Sequence, residues 1–279
     1  MHSAAATHYD FVASKRSVRS RTPLQKFHND AKRALLETFA ADAESLLDLA
    51  CGRGGDVHKW MSLGLLAHVT GLDVSSASVE EARRRLRAAS RHPRAGQLEC
   101  VFEQADLRRG WSGTARQYDV VTCMFAMHYF FGSERDAHTL MRTAAAHLKD
   151  GGVFLGIVPD GQRINECIKY GPQYDNGTMR VRALWKGKPA CFGSAYTFNI
   201  SDTVTESSDV PEFLVYDNVL RTVAAAHGLR PVAIHHPMFA KPDSPDSVFH
   251  RLVPPYDGAL REASSVFVGF ALKKFCVGI

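Results

Sequence analysis

An alternation of short apolar segments and amphipathic segments between Ser45 and Val158 constrains the fold more than any other feature of the sequence. The apolar segments predict strands and the amphipathic ones predict helices. A β-α-β-α order is typical of a parallel sheet with helices on both faces. Strands are expected at 45–50, 67–74, 98–104, 118–125, 153–158, 231–235 and 265–272, and helices at 56–63, 75–90, 134–148 and 217–227. The sequence therefore predicts an α/β fold with a doubly wound, mostly parallel, seven-stranded sheet.

The segment in front of the first strand is basic. Lysines and arginines are frequent from Lys15 to Arg33. Asn29 and Asp30 are favourable caps, and they predict a helix from about Asn29 to Phe39. Residues 1–28 are interpreted as a basic N-terminal arm.

The regular alternation ends after Pro159. Residues 163–208 are rich in glycine, polar and aromatic residues, with a hairpin expected around residues 190–200. We expect one domain over residues 1–279, with an inserted, hairpin-containing substrate-binding segment at about 163–210. A proline-rich loop is expected at 237–255.

The composition excludes several classes of protein. Hydrophobic residues make up 45% and charged residues 23%, which is ordinary for a globular chain and excludes disorder as the main state. The longest apolar runs, such as Val120 to Phe131, are far shorter than the ~20 residues of a membrane-spanning helix. The N-terminus does not resemble a signal peptide. A net charge of +5 permits an anionic partner without requiring one.

Cysteine spacing indicates reduced thiols. No two of the six cysteines form a C-x-x-C pair, and none has the spacing of a zinc site. We expect free thiols in an intracellular, reducing compartment and no metal centre. The cysteines are Cys51, Cys100, Cys123, Cys167, Cys191 and Cys276.

A glycine-rich loop follows the first predicted strand. Its sequence, Asp48-Leu-Ala-Cys-Gly-Arg-Gly-Gly-Asp56, departs from G-x-G-x-x-G because Val57 stands where the third glycine would be. Two carboxylates flanking the loop would repel a pyrophosphate. They favour a ligand with positive charge, such as the sulfonium and ammonium groups of S-adenosylmethionine.

Two further acids end the second and third predicted strands. Asp73 lies 21 positions after Gly52, about the spacing at which an acidic residue binds ribose hydroxyls. Asp106 ends the third strand and is placed to bind the adenine amino group. Ligands of doubly wound sheets bind at the carboxyl ends of the strands, so these acids predict one cofactor site.

Several segments between about residues 9 and 274 resemble those of mRNA cap guanine-N7 methyltransferases. The matches are Phe27-His-Asn-Asp-Ala-Lys32; Leu47 to Asp56 with Lys59-Trp60; His128-Tyr-x-Phe131; Gly151-Gly-x-Phe-x-Gly-x-x-Pro-Asp160; Phe192-Gly-x-x-Tyr-x-Phe198; and Pro211-Glu-Phe-Leu-Val215. The loop motif is shared by many methyltransferases. The His-Tyr-x-Phe and Pro-Glu-Phe-Leu-Val segments are far more specific.

The resemblance implies a Rossmann-like methyltransferase sheet with a cap site in the inserted segment. It implies methyl transfer from S-adenosylmethionine to guanine N7 of GpppN-RNA, leaving S-adenosylhomocysteine. The implied partner is capped RNA, and other capping-enzyme domains or an activating subunit stay open as further partners. The implied location is nuclear, or cytoplasmic for a viral protein.

The matched positions also imply site residues. Cofactor contacts carry over to Lys32, Asp48, Ala50, Gly52, Asp56, Asp73, Asp106, Met124 and Tyr129. This chain departs from the family pattern at His28 and Ala50, which replace Asn and Gly, at Arg53, which replaces Lys, and at Met124, where many members have Gln.

The resemblance further implies a cap pocket. Its residues are His28, Asn29, Arg53, Lys59, Arg85, His128, Pro159, Glu212 and Phe267. Arg53, Lys59 and Arg85 match phosphate-binding positions, and Glu212 matches the acceptor for guanine N1–H and N2. His128 and Tyr129 position the base and sugar. Phe267 replaces a frequent Tyr, and Tyr9 is expected to cover the base.

No residue is expected to act as a general base. Guanine N7 attacks through a lone pair and has no proton to lose, so catalysis should come from orienting it toward the methyl group. Two alternatives remain open at this point: a small-molecule N- or O-methyltransferase, and a catalytically silent cap-binding or activating subunit.

Overall fold

A computed structural model describes residues 22–200 and 210–275. The helices in this part of the chain are α1 (Pro23–Phe39), α2 (Val57–Ser62), α3 (Ser76–Ala88), α4 (Glu134–His147), α5 (Gly161–Cys167), α6 (Asp217–Ala225) and α7 (Gly258–Ser265). The strands are β1 (Ser45–Asp48), β2 (His68–Asp73), β3 (Glu99–Gln104), β4 (Tyr118–Met124), β5 (Leu148–Pro159), β6 (Gln173–Asp175), β7 (Met179–Ala183), β8 (Ala195–Ile200), β9 (Glu212–Phe213), β10 (Leu229–Pro231), β11 (Phe249–Arg251) and β12 (Phe267–Lys274). No helix among these residues is long and apolar enough to cross a membrane.

The main sheet has the order β3-β2-β1-β4-β5-β12-β10. Strands β1 to β5 pair in parallel, while β12 runs antiparallel to β5. Strand β11 adds an eighth strand against β12. The mostly parallel, doubly wound α/β fold with seven strands in its continuous order is therefore confirmed.

Both faces of the sheet are covered by helices. Strand β1 shows why, because Leu46 and Leu47 point to opposite faces and both are fully buried. Leu46 belongs to the core formed with α1, α2 and α3, and Leu47 to the core formed with α4 and α6. The carboxyl ends of the parallel strands are thereby held rigidly at one edge.

Helix α1 begins earlier than the sequence indicated. Thr22 is its N-cap and Pro23 its first residue. The Thr22 hydroxyl accepts from the backbone of Gln25, whose side chain accepts from the Thr22 backbone, completing a capping box. The predicted start at Asn29 is wrong, and Asn29 lies inside the helix.

A second sheet has four strands in the order β6-β7-β8-β9. Strands β6 to β8 lie within the segment expected to be inserted at 163–210, and β9 lies just beyond it. The hairpin expected at 190–200 is only partly correct. Residues 195–200 form β8, whose partner is β7, on the far side of the 184–194 loop. The predicted strand at 231–235 is displaced to β10, and the proline-rich loop contains β11.

Candidate active site

Strands β1, β2, β4 and β5 end at the same edge of the main sheet. Asp48, the last residue of β1, lies in register with Gly71 of β2 and Thr122 of β4. Parallel pairing therefore places the strand ends that carry Asp48, Asp73 and Met124 at one edge of the sheet.

Asp73 is fixed by the glycine-rich loop. Its two carboxylate oxygens accept backbone hydrogen bonds of 2.9 Å, Oδ2 from Gly52 and Oδ1 from Ser75. Gly52 adopts φ +50°, a conformation that favours glycine. An ionised carboxylate is acceptor-only, which is the chemistry that binding of two ribose hydroxyls requires.

Asp48 is buried at the end of β1. Burial, reinforced by the nearby charge of Asp56, raises the pKa of Asp48 to about 7. The backbone N–H of Ala50 donates to its Oδ1 over 3.3 Å. Because an isolated negative charge is costly here, the ionised form of Asp48 gains from a positively charged neighbour.

Asp56 holds helix α1 against the loop. Its two oxygens bind the ammonium groups of Lys32 at 2.8 Å and Lys59 at 2.7 Å. Burial alone would raise the pKa of Asp56, but the two lysines lower it to about 2. Lys59 also donates to Asn29 Oδ1 over 2.7 Å, and its side chain is only 6% exposed. Lys59 thus has two of its three donors committed inside the protein.

Asp106 is partly committed as well. Arg108 donates to both of its oxygens, at 3.0 Å through Nε and 2.9 Å through Nη2. Hydrogen bonding from Arg108 lowers the pKa of Asp106, so the carboxylate stays ionised. An adenine amino group would have to use its remaining lone pairs.

Arg53 and Arg85 meet at the other side of the loop. Gly54, at φ +68°, lies so close to α3 that a Cβ there would come within 2.9 Å of the Ala82 Cα. This contact seats the loop on α3 and brings Arg53 Nη2 to 3.6 Å from Glu81 Oε1. Arg85 Nε donates to the same oxygen over 2.8 Å.

Glu212 and His128 form a largely buried polar pair, in which the His128 side chain is 4% exposed and the Glu212 side chain 14% exposed. Glu212 pairs with Tyr196 across β9 and β8, and the Tyr196 hydroxyl hydrogen-bonds to its carboxylate. Burial raises the pKa of Glu212 to about 8 and lowers the pKa of His128 to about 3. The His128 Nε2 lies 3.7 Å from Glu212 Oε1. Both ring nitrogens of His128 and Oε2 of Glu212 have no hydrogen-bond partner within the described residues.

A cluster of three aromatic rings joins α1, the residue that follows β4 and the start of β12. The rings of His28, Phe125 and Phe267 contact one another, with centroids 4.7–5.3 Å apart. Burial, followed by the charge of Lys32, lowers the pKa of His28 to about 3, so its ring is neutral. Its Nε2 is buried and has no hydrogen-bond partner in the described part of the chain. Phe125 adopts φ +59°, which is rare for a bulky residue and is typical of functional sites.

The remaining candidate residues also lie at these strand ends. Pro159 ends β5 and pairs with Phe267 of β12. Tyr129 lies in a short 3₁₀ turn after β4, with its ring 4.2 Å from that of His128. Tyr9 lies outside the described residues. No group of three or more potential metal ligands occurs in the described ranges.

Sequence reasoning missed three residues of this site. Nothing in the sequence distinguished Glu81 from other acidic residues on helices, and its arginine partners were not recognised. Tyr196 lay within a matched segment but had no assigned role. Phe125 carried no sequence signal, because its unusual backbone conformation is visible only in the structure.

The family model of the mRNA (guanine-N(7))-methyltransferase domain matches residues 1–241. The chain belongs to this family.

Relatives in the family share moderate identity with the chain. The mRNA cap guanine-N(7) methyltransferase of Caenorhabditis briggsae is 30% identical over 221 residues, covering 75% of this chain and 56% of the relative. The protein of the same name from Schizosaccharomyces pombe is 27% identical over 297 residues, covering 95% and 79%. The chain therefore spans little more than half of the nematode relative.

Solved structures support the fold. An S-adenosylmethionine-dependent methyltransferase from Clostridium acetobutylicum aligns over 97% of both chains, with a TM-score of 0.56 and 13% identity. At 13% identity, this similarity shows a shared fold and nothing more specific. The resemblance to the cap guanine-N7 methyltransferase family, expected from the sequence motifs, is confirmed by the family match.

Proposed function

We propose that this chain transfers a methyl group from S-adenosylmethionine to guanine N7 of GpppN-capped RNA. The observation that carries the proposal is the largely buried Glu212–His128 pair, in which both ring nitrogens of His128 and Oε2 of Glu212 have no hydrogen-bond partner within the described residues. Native proteins rarely leave buried polar atoms unpaired without a ligand or water to satisfy them. A purine with donors on its Watson–Crick edge fits an ionised Glu212.

The charges of the cleft fit S-adenosylmethionine. Asp73 ends β2 as the carboxylate proposed for the ribose hydroxyls, and an ionised Asp48 supplies negative charge for the sulfonium and ammonium groups. Asp56, bound by Lys32 and Lys59, orders the loop between them. Lys32, which is 19% exposed beside Asp56, is placed to bind the carboxylate of S-adenosylmethionine. When bound, the cofactor supplies an electrophilic methyl group on sulfur.

The chain's own contribution to catalysis is then orientation. Glu212 holds the guanine edge, and neutral His128 and Tyr129 position the base and its ribose. The aromatic cluster of His28, Phe125 and Phe267 packs against the purine. Fixing N7 in line with the methyl group lowers the entropic part of the barrier, and no general base takes part.

We assign the triphosphate to Arg53 and Arg85. Lys59 was expected beside them, but its ammonium group is buried between Asp56 and Asn29. We therefore give Lys59 the role of fixing Asp56 and Asn29. Met124, Ala50 and Asp106 keep their proposed places along the cofactor, and Pro159 its place beside Phe267.

The proposal also includes binding partners and a cellular compartment for the protein. Capped RNA is the substrate, acting through its 5′ end, while other capping-enzyme domains or an activating subunit are further candidate partners. The five cysteines in the described ranges are free thiols. With the eukaryotic relatives, they support a reducing compartment, for which we propose the nucleus.

A substrate comparison separates this proposal from its alternatives. Labelled S-adenosylmethionine is offered with GpppG-RNA, ApppG-RNA and GTP at equal concentration. We expect methyl transfer to GpppG-RNA and little to ApppG-RNA. Cap binding without transfer supports a silent subunit. A chain that binds S-adenosylmethionine and neither binds nor methylates a guanine cap is a methyltransferase for another substrate.

A further inference from the structure

One carboxylate on helix α3 is surrounded by three arginines. Glu81 Oε1 accepts from Arg85 Nε at 2.8 Å and from Arg84 Nη2 at 2.9 Å, and it lies 3.6 Å from Arg53 Nη2. Glu81 Oε2 accepts from Arg84 Nε at 2.7 Å. Three guanidinium groups around one carboxylate leave an excess of positive charge at the point where loop and helix meet.

The contacts of Glu81 differ in kind. Arg84 binds both carboxylate oxygens, which fixes the plane of the group, and Arg84 itself is exposed. With its plane fixed, Oε1 is aimed at Arg85 and Arg53. Arg85 uses only Nε for this contact, and its terminal amino groups form no other hydrogen bond within the described residues. Arg85 is therefore anchored through Nε, and its two terminal amino groups can serve a ligand.

The Glu81 carboxylate stays ionised over a wide pH range, and the Glu81–Arg53 contact is partly shielded from water. Hydrogen bonding from Arg84, followed by Arg85, lowers the pKa of Glu81 to about 2, so the carboxylate is ionised throughout the working range. The side chain of Glu81 is 14% exposed and that of Arg53 is 20% exposed. The close packing of Gly54 against Ala82 fixes the distance between the loop and α3.

We propose that Glu81 is a positioning residue that holds Arg53 and Arg85 ready for the cap triphosphate. This inference rests on the proposed function, in which these two arginines bind the phosphates. A free arginine side chain loses rotamer freedom when it binds a phosphate, and anchoring it beforehand removes part of that cost. The negative charge of Glu81 opposes phosphate binding, so the two effects have opposite signs and an experiment can separate them.

Two substitutions separate position from charge. Glu81→Asp keeps the charge and withdraws the carboxylate by one methylene, while Glu81→Gln removes the charge and the charge-assisted hydrogen bonds. Glu80→Gln is the matched control, because Glu80 is on the same helix, is 67% exposed, and pairs only at 3.6–3.7 Å with Arg83 and Arg87.

The measurements are GpppG affinity at several salt concentrations, kcat and KM on capped RNA, and S-adenosylhomocysteine affinity as a check of folding. We expect Glu81→Asp and Glu81→Gln each to weaken GpppG about tenfold, raise KM by the same factor and flatten the salt dependence. S-adenosylhomocysteine affinity and kcat at saturating RNA should stay at the wild-type level. Glu80→Gln should match the wild type in all four.

A purely electrostatic role gives the opposite result. Glu81→Gln would then bind GpppG more tightly and Glu81→Asp would not change, and this outcome overturns the inference. If both Glu81 variants lose S-adenosylhomocysteine binding as well, Glu81 supports the fold and the inference is also overturned.

An Arg53→Ala/Arg85→Ala double variant distinguishes an error in the proposed phosphate site from an error in the positioning role of Glu81. It should weaken GpppG binding, and adding Glu81→Gln to it should not weaken GpppG binding any further. If the double variant binds GpppG as the wild type does, the proposed phosphate site is wrong. If it binds weakly while the Glu81 variants bind normally, only the positioning role is wrong.

Discussion

The ionisation of Glu212 should make recognition of the cap depend on pH. Burial raises the pKa of Glu212 to about 8, so most of the carboxyl groups are protonated at neutral pH before the cap binds. Guanine presents donors at N1 and N2, which require the ionised form. Binding of the cap should therefore release a proton, and the apparent affinity should rise with pH up to the pKa.

The size of the effect follows from the distance to that pKa. At pH 6, two units below a value of 8, about one Glu212 carboxyl in a hundred is ionised. We expect kcat/KM for GpppG-RNA to rise about 50-fold from pH 6 to pH 8, where half of the carboxyl groups are ionised, and to level off above pH 9 at about 100 times its value at pH 6. His128 does not titrate in this range, because burial lowers its pKa to about 3.

The assay is initial-rate methyl transfer at saturating S-adenosylmethionine, so that the titration of Asp48, whose pKa is about 7, does not enter through cofactor binding. Glu212→Gln is the control. Its amide should lower kcat/KM about 10- to 100-fold at pH 8, by analogy with bidentate base contacts of about 1–3 kcal/mol. It should also remove the rise with pH. A flat wild-type profile, or an unchanged rise in Glu212→Gln, refutes the reasoning.

Three further predictions concern other parts of the molecule. Asp73→Ala should weaken S-adenosylmethionine and S-adenosylhomocysteine alike by at least about tenfold, because it removes charge-assisted hydrogen bonds to the ribose; calorimetry showing unchanged affinities would disprove the assignment. Lys59→Ala should lower the free energy of unfolding by about 2 kcal/mol, because Asp56 and Asn29 lose a buried partner, and it should leave the salt dependence of cap binding unchanged; a flattened salt dependence would return Lys59 to the phosphate site. Mass spectrometry after non-reducing denaturation and alkylation should find all six cysteines as free thiols, and a native disulfide would contradict the reducing compartment.

Much of the fold was predictable because periodicity and strand-end acids are local signals. Asp48 and Asp73 each end a strand, and parallel pairing brings both to one edge. The second sheet was harder to predict, since β7 and β8 are separated by a loop of more than ten residues. Their pairing depends on contacts that no local pattern encodes.

Helix α1 shows how competing local signals mislead. Thr22, Pro23 and Gln25 contain a complete capping box, but Asn29 and Asp30 are also favourable caps and stand closer to the apolar residues. The structure uses Asn29 for a different purpose, as an acceptor for Lys59.

The sequence predicted which residue types form the site better than it predicted which residues contact one another there. The sequence identified Lys59 and Arg85 as cations, but Lys59 bonds to a residue 30 positions away and is buried by it. Glu81 contacts Arg53 across 28 positions. Such pairings set which cation faces a ligand and which one supports the fold.

A cap in which carbon replaces guanine N7 tests the central claim most directly. The 7-deazaguanosine analogue of GpppG-RNA keeps the N1 and N2 donors that Glu212 binds, but it has no lone pair at position 7. With labelled S-adenosylmethionine, we predict methylation of GpppG-RNA at N7 and none of the analogue, which should instead inhibit competitively. Methyl transfer to the deaza cap at the rate of the normal cap would contradict the account.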